Sequence, residues 1–162
     1  MAAVRYYLDC EFNGMGGELL SLALVGEEMP STGDLYLMNM NRDRDTTDPW
    51  VRQNVLPIMS SIPNSQEVCR AYSIPVESFG ERISWFFGVA QDVDPIIVTD
   101  WPDDIKYFCQ CMITGPGQMI NIPGIKFEMH RVDAYPTTLP NAIQHNAYWD
   151  AMALRHKLQG DA

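Results

Sequence analysis

The sequence of 162 residues lacks any long hydrophobic run. A helix that spans a bilayer needs roughly 20 consecutive apolar residues, and no segment approaches that length. The beginning of the chain also lacks a basic stretch followed by an apolar one and a cleavage site of small residues, so we expect no secretory signal. Hydrophobic residues still make up 46% of the chain. That content can build one core, and the length fits a single domain over residues 1–162.

Cysteines are few, at Cys10, Cys69, Cys109 and Cys111. Cys109 and Cys111 are one residue apart, which is too tight for a usual zinc knuckle, and no second pair accompanies them. Cys10 lies inside a strongly apolar segment. We therefore expect free, buried thiols in a reducing cytoplasm.

Basic residues are also scarce, with 11 Lys and Arg against 21 Asp and Glu and a formal net charge of −10. Proteins that coat long duplexes are normally basic, because Lys and Arg displace the counterions of phosphates. The charge argues against such a protein. It argues less strongly against an enzyme that holds a few nucleotides at a strand end, since bound divalent ions can supply positive charge there.

Apolar stretches predict the strands. Residues 4–12 are first aromatic and β-branched and then apolar around two acids, and residues 18–25 and 33–40 follow after short connections. These three segments predict an antiparallel meander. Two later segments predict a short buried strand of the parallel-sheet type and a last strand, at residues 95–99 and 127–132.

Helices are predicted between and after these strands. Asp48 followed by Pro49 is typical of an N-cap and a first helical position. The predicted helices cover residues 50–56, 75–90, 103–112 and 146–158. We expect residues 58–73 to form a surface loop, residues 115–117 to break the chain and residues 136–144 to be irregular. The order of elements predicts an α/β fold with a sheet of mixed direction covered by helices.

Two carboxylates lie two residues apart in the first predicted strand, at Asp9 and Glu11. Alternation places both side chains on one face of the strand, with their Cβ atoms roughly 6–7 Å apart. A buried charge without a partner costs several kcal/mol, so these acids need a cation unless they lie at an exposed strand end. Oxygen ligands of this kind suit Mg²⁺ or Mn²⁺.

The last predicted helix brings a third carboxylate. Asn146 can cap this helix, which leaves His145 on the loop before it. Asp150 lies one turn inside, beside Ala147, and the small alanine allows the helix to approach the strand that bears Asp9. The alternative for His145 is a surface histidine with no role.

Three acids follow the predicted strand of residues 95–99, at Asp100, Asp103 and Asp104. A junction between strand and helix at this edge of a sheet is where α/β proteins usually keep their sites. The alternative is helix capping, which needs only one of the three.

The acids and the histidine together resemble the DEDDh family of 3′→5′ exonucleases. The resemblance rests on the D-x-E motif of Asp9 and Glu11, on a mid-chain Asp, and on the H-x-A-x-x-D motif of His145, Ala147 and Asp150. The family fold is ribonuclease-H-like, so the resemblance implies the α/β class that the order of elements also predicts.

Within this family the chain is most similar to a compact group of mycobacterial-type exoribonucleases. The likeness includes residues 50–57 and 104–110 and extends over residues 6–158. One departure is local. Many members carry His-Asn before the mid-chain Asp, whereas residues 99–101 of this chain are Thr, Asp and Trp.

The resemblance implies a role for each matching residue. Four acids match the ligands of two Mg²⁺ or Mn²⁺ ions, namely Asp9, Glu11, Asp104 and Asp150. His145 matches the general base. Asp104 is preferred to Asp100 or Asp103, because Tyr107 and Phe108 follow it at the spacing of the family's apolar pair. The −4 charge of the carboxylates would balance the charge of the two ions.

The expected substrate is the 3′ end of single-stranded RNA or DNA, from which 5′-mononucleotides are removed. Phe12 follows Glu11 and is expected to stack on the terminal base, with plain core packing as the alternative. Met15 and Leu19 are either pocket lining or core. The resemblance also allows a homodimer. The competing hypothesis is a ribonuclease-H-like module that binds nucleic acid or another partner without catalysis.

Overall fold

The computed structural model describes residues 4–27, 33–62, 69–90, 94–135, 139 and 142–160. The strands are β1 (Arg5–Phe12), β2 (Leu19–Gly26), β3 (Asp34–Asn39), β4 (Cys69–Ile74), β5 (Ile96–Thr99), β6 (Ile113–Gly115), β7 (Gln118–Met119) and β8 (Lys126–Met129). The α-helices are α1 (Pro49–Asn54), α2 (Phe79–Ala90), α3 (Pro102–Met112) and α4 (Ala147–Gln159). None of the described helices is long and apolar enough to cross a membrane.

Six strands form one sheet in the order β4-β3-β2-β1-β5-β8, while β6 and β7 form a separate hairpin. β1, β2 and β3 make the predicted antiparallel meander. β5 joins β1 in parallel, β8 joins β5 in parallel, and β4 joins β3 in parallel. The mixed sheet and its helices confirm the predicted α/β class and agree with a ribonuclease-H-like fold.

Helix starts follow the predicted capping chemistry. Asp48 caps α1 and accepts hydrogen bonds from the backbone amides of Trp50 and Val51, with Pro49 in the first turn. Asn146 caps α4 in the same way. The predicted break after α3 is the tight turn of the β6–β7 hairpin, where Gly117 has a φ of +66°.

The prediction of a surface loop over residues 58–73 is wrong where β4 stands. β4 pairs in parallel with β3 over its whole length. As an edge strand, β4 half-buries Arg70, Tyr72 and Ile74 and exposes the residues between them. A strand with one half-covered face and small residues at the exposed alternate positions has little apolar signal of its own, because its stability comes from the ladder with β3.

Two predicted segments are described only in part. Residues 63–68 of the predicted loop, and residues 136–138, 140 and 141 of the segment predicted to be irregular, lie outside the described residues. The described remainder of the second segment contains no helix or strand. The cysteines are free, as predicted, with two thiols buried and those of Cys109 and Cys111 half-buried.

The two faces of the sheet carry different cores, and this difference positions the site. On one face, Tyr6, Leu8 and Cys10 of β1 pack with the buried aromatic residues of α2 and α3. We call this the α2–α3 face. On the other, the α4 face, Tyr7 packs with the small and aromatic residues of α4. Because side chains alternate along β1, Asp9 and Glu11 lie on the α4 face with Tyr7.

Candidate metal centre

Five carboxylates from three parts of the fold meet at one end of the sheet. β1 supplies Asp9 and Glu11, and the first turn of α4 supplies Asp150. The junction between β5 and α3 supplies Asp100 and Asp104. α4 can lie close to β1 because alanines face the sheet, where Ala147 and Ala151 are fully buried. The structure therefore contains the predicted close approach of α4 to the acidic strand β1.

The carboxylates form two overlapping groups. Ligand atoms of Asp9, Glu11 and Asp150 all lie within 4.8 Å of one another, and so do ligand atoms of Asp9, Asp100 and Asp104. Asp9 belongs to both groups. This arrangement can hold two neighbouring cations with Asp9 between them, and its oxygen donors suit hard divalent ions.

Two oxygens of this cluster have no partner among the described residues. Asp9 Oδ2 and Asp150 Oδ1 are both out of contact with solvent and accept no hydrogen bond there. Buried polar atoms are nearly always satisfied in folded proteins, so such an orphaned oxygen needs an explanation. A cation at this position would supply the missing interaction.

Burial and mutual repulsion disturb the protonation of the cluster. Burial raises the pKa of Asp9 well above its usual value, and Asp104 and Asp150 raise it further. Burial does the same for the pKa of Glu11, to which Asp150 adds repulsion. Burial also raises the pKa values of Asp104 and Asp150 to about 7. Without a cation the cluster therefore retains protons near neutral pH, and a divalent ion would displace them.

Asp104 is the buried member of the three acids after β5. Its carboxylate accepts hydrogen bonds from the hydroxyl of Thr99 at 2.8 Å and from the backbone amide of Cys10 at 3.2 Å. Asp103 belongs to neither carboxylate group and accepts a hydrogen bond from the indole nitrogen of Trp101. The structure thus brings Asp104 to Asp9, as preferred from the sequence. It also brings Asp100, which sequence reasoning treated only as a competitor.

His145 lies on the same side of the site as α1. Its ring meets the ring of Trp50 edge to face, with centroids 4.9 Å apart. Its φ of +65° lies in the left-handed region, which histidine adopts more readily than most residues. Burial lowers the pKa of His145 below its ordinary value. The imidazole is therefore largely neutral near pH 7 and can accept a proton.

A cavity of about 960 Å³ opens beside these residues, and its lining includes Glu11, Asp104 and His145. Two tryptophans that sequence reasoning did not place in the site also line it. Trp50 is 52% exposed and Trp101 is 48% exposed. Bulky aromatic residues next to proline at a predicted helix start were the signal that could have identified them.

The residues predicted to bind substrate are separated by the fold. Phe12 lines the acidic cavity and stacks on Tyr107, with ring centroids 4.8 Å apart. Met15 also lines it and is 99% exposed. Leu19 does not reach this cavity. It is buried on the α2–α3 face, its second predicted alternative, and lines a separate cavity of about 570 Å³.

Leu19 is displaced by an irregularity of the sheet. The register between β1 and β2 shifts between Glu11 and Phe12, so that Phe12 pairs with Leu19. A shift of one residue exchanges the face on which the following side chains lie. The spacing of residues along the chain does not reveal such a shift.

Comparison of the sequence with known protein families and with curated proteins finds no match. The resemblance to the DEDDh exonucleases therefore stays a hypothesis that rests on the motif residues.

Proposed function

We propose that the protein is a metal-dependent 3′→5′ exonuclease of the DEDDh type that removes 5′-mononucleotides from single-stranded RNA or DNA. The observation that carries this proposal is the pair of carboxylate groups that share Asp9. Two-metal sites that cleave phosphodiesters hold their ions roughly 3.5–4 Å apart. Two adjacent groups with one common ligand suit that arrangement.

The donors fit Mg²⁺ or Mn²⁺. Asp9, Glu11, Asp104 and Asp150 would hold two ions, with Asp100 next to Asp104 as a further ligand or as a partner for bound water. The orphaned oxygens of Asp9 and Asp150 support this assignment. When bound, the two ions supply the positive charge that activates water near neutral pH and stabilises the leaving oxygen.

His145 would act as the general base. It lines the cavity that also contains Glu11 and Asp104, and its lowered pKa favours the neutral imidazole. A neutral ring nitrogen can take the proton of an attacking water. The ring of Trp50 packs edge-on against His145 and restricts its orientation.

The cavity and the charge of the chain favour a strand end over a duplex. A volume of about 960 Å³ lies within the range of small-ligand sites, which suits terminal nucleotides. The net charge of −10 disfavours extended contact with a duplex. Phe12, beside Glu11, supplies an aromatic ring for a terminal base.

The decisive experiment compares labelled single strands of RNA and DNA that end in a 3′-hydroxyl or a 3′-phosphate. With Mg²⁺ or Mn²⁺ we expect stepwise shortening from the 3′-hydroxyl end, slow attack on the 3′-phosphate, and no product in EDTA. Undiminished hydrolysis in EDTA would contradict the proposal, and so would rapid cleavage of a circular strand. Binding without hydrolysis in any divalent ion would favour the non-catalytic module.

A further inference from the structure

Trp101 is held in place at the rim of the acidic cavity although half of it is exposed. Its indole nitrogen donates to Asp103 at 3.1 Å, and its backbone amide donates to the hydroxyl of Thr99 at 3.2 Å. The guanidinium of Arg131 lies over the indole ring, 4.8 Å from its centroid. An exposed tryptophan held by three contacts presents a flat apolar surface. Because the side chain is already ordered, a ligand that binds to it loses little free energy in fixing its orientation.

Arg131 places a positive charge beside the acids. Its guanidinium donates to the backbone carbonyl of Asp100, a member of one carboxylate group. Among the described residues Arg131 forms no ion pair with a carboxylate, since the ion pairs there join Glu128 to Arg5 and His130. The charge of Arg131 acts on the nearby Asp100, where it opposes the rise in pKa that burial causes. Its guanidinium is nevertheless exposed and accessible to a ligand, in a chain with only 11 Lys and Arg.

We propose that Trp101 and Arg131 form a docking point for single-stranded nucleic acid, immediately upstream of the phosphodiester at the carboxylates. The proposal rests on the proposed exonuclease function. Arg131 covers one face of the indole, and the ring lines the cavity, where a base stacks on its other face. The guanidinium contacts a phosphate of the same strand. This contact is independent of base identity, because every base has a π-face.

The charge complementarity favours a nucleic-acid occupant. A polyanion that approaches an acidic protein is repelled except where a cation lies exposed, and Arg131 is exposed next to the cavity. Arginine combines a charge for phosphate with a planar group that strengthens stacking on an aromatic ring. The pair thus offers both interactions that single-stranded nucleic acid requires.

A matched pair on the α2–α3 face provides the control. There the guanidinium of Arg82 lies over the rings of Tyr72 and Trp85, and Trp85 is 41% exposed. This pair has a similar chemistry but lies on the opposite face of the sheet from the carboxylates. Nonspecific binding to any arginine beside an exposed tryptophan would affect both pairs alike.

The test measures binding separately from hydrolysis. A short fluorescent single strand with a non-hydrolysable phosphorothioate at its 3′ end is titrated with the protein in Mg²⁺, and anisotropy is recorded. We expect Trp101→Ala to weaken binding about 5- to 160-fold, the usual effect of removing one stacked base. Trp101→Phe should restore part of the loss. Trp85→Ala and Arg82→Ala should change binding less than twofold, and thermal denaturation checks that each variant is folded.

Salt dependence separates the two residues. Arg131→Ala should lower the slope of log Kd against log salt by about 0.7, the value for one phosphate contact on a single strand. Arg131→Lys should keep the slope and still weaken binding. Trp101→Ala should leave the slope unchanged. If the pair has a purely structural role, the slope should not change in Arg131→Ala. An unchanged slope would overturn the docking point.

Failure of this inference and failure of the proposed function give different results. Hydrolysis by the unaltered protein, with binding unchanged in Trp101→Ala and Arg131→Ala, would overturn the docking point alone. Binding that depends on both residues without any hydrolysis would leave the docking point standing and overturn the enzyme. A loss of binding in the Trp85 and Arg82 variants alone would place the nucleic acid on the other face.

Discussion

Asp9 is the residue on which both carboxylate groups depend, and it lies on the same face of β1 as Tyr7 and Glu11. This shared face sets where the site lies. The neighbours of Asp9 differ in their expected contributions. Glu11 and Asp150 complete one group, whereas His145 lies beside the acids without belonging to either group. Substitutions can therefore separate the binding of ions from the transfer of protons.

Asp9→Ala should abolish ion binding and nearly all hydrolysis, whereas His145→Ala should reduce hydrolysis and leave ion binding intact. The alanine at position 145 leaves all the carboxylates in place, so Mg²⁺ should still raise the thermal denaturation temperature. Activity should fall about 10²- to 10⁴-fold, the usual contribution of a general base. Thermal denaturation with and without Mg²⁺, combined with initial rates, checks both.

The pH profile tests the same assignment. In the unaltered protein the rate should rise as His145 becomes neutral, at a pH below its ordinary pKa because burial lowers that pKa. In His145→Ala this rise should disappear, and the residual rate should grow with hydroxide at higher pH. A His145→Ala protein with a near-normal rate and profile would show that the histidine is a bystander.

Asp104 and Asp103 should respond differently to the same substitution. Asp104→Asn removes a charge within 4.8 Å of Asp9 and should reduce Mg²⁺ affinity and activity by at least tenfold. Asp103→Asn keeps an acceptor for the indole of Trp101 and should retain most of the activity. Equal losses in the two variants would contradict the placement of Asp104 at the metal centre. Mg²⁺ titrations followed by initial rate provide the measurement.

At the scale of elements, the contact of α4 with the sheet decides whether the site exists. Ala151 is fully buried on the α4 face with Ala23 and Tyr7. A leucine at position 151 would push α4 away from β1, and Asp150 would move with it. The helix thus couples core packing to the position of a ligand.

Ala151→Leu should destabilise the protein by about 1–3 kcal/mol, as overpacking of a core usually does. It should also weaken the stabilisation by Mg²⁺, because Asp150 is the next residue in sequence. Met152→Leu, a change of similar volume at a partly buried position of α4, should cost less than about 1.5 kcal/mol and leave the Mg²⁺ effect intact. Urea denaturation of both variants with and without Mg²⁺ tests this. An unchanged Mg²⁺ effect in a destabilised Ala151→Leu protein would separate α4 from the site.

At the scale of the whole molecule, buried acids make stability depend on pH. The pKa values of Asp104 and Asp150 are raised to about 7, above those of the unfolded chain. The folded state therefore binds more protons than the unfolded state between about pH 4 and 7. Stability in EDTA should fall as pH rises through this window, and Mg²⁺ should restore more of it at pH 8 than at pH 6.

Asp34 separates the effect of the metal centre from that of burial alone. Burial raises the pKa of Asp34 to about 6, and this residue belongs to neither carboxylate group. Asp34→Asn should reduce the loss of stability between pH 4 and 7 by up to about 3 kcal/mol, equally with and without Mg²⁺. Thermal denaturation across this pH range, with and without Mg²⁺, measures this change in stability. A flattening that appears only in EDTA would mean that Asp34 is coupled to the metal centre.

Much of this architecture follows from the chain alone. Local signals were sufficient for the meander, for the caps at Asp48 and Asn146, and for α2 to α4, because periodicity and capping act within a few residues. The edge strand β4 was missed because its pairing with β3 lies outside its own sequence. The prediction of the α/β class was still correct, because it depends on the central strands.

The sequence by itself determined which acids could gather. The spacing of Asp9 and Glu11 places both on one face, and the cap at Asn146 places Asp150 one turn into α4. Only the tertiary structure decided the rest. The parallel register that pairs Tyr7 with Val98 carries Asp9 and Asp100 to the same level two residues later. Arg131 reaches Trp101 across the end of β5, a contact between residues 30 positions apart that strand pairing creates and no local pattern encodes.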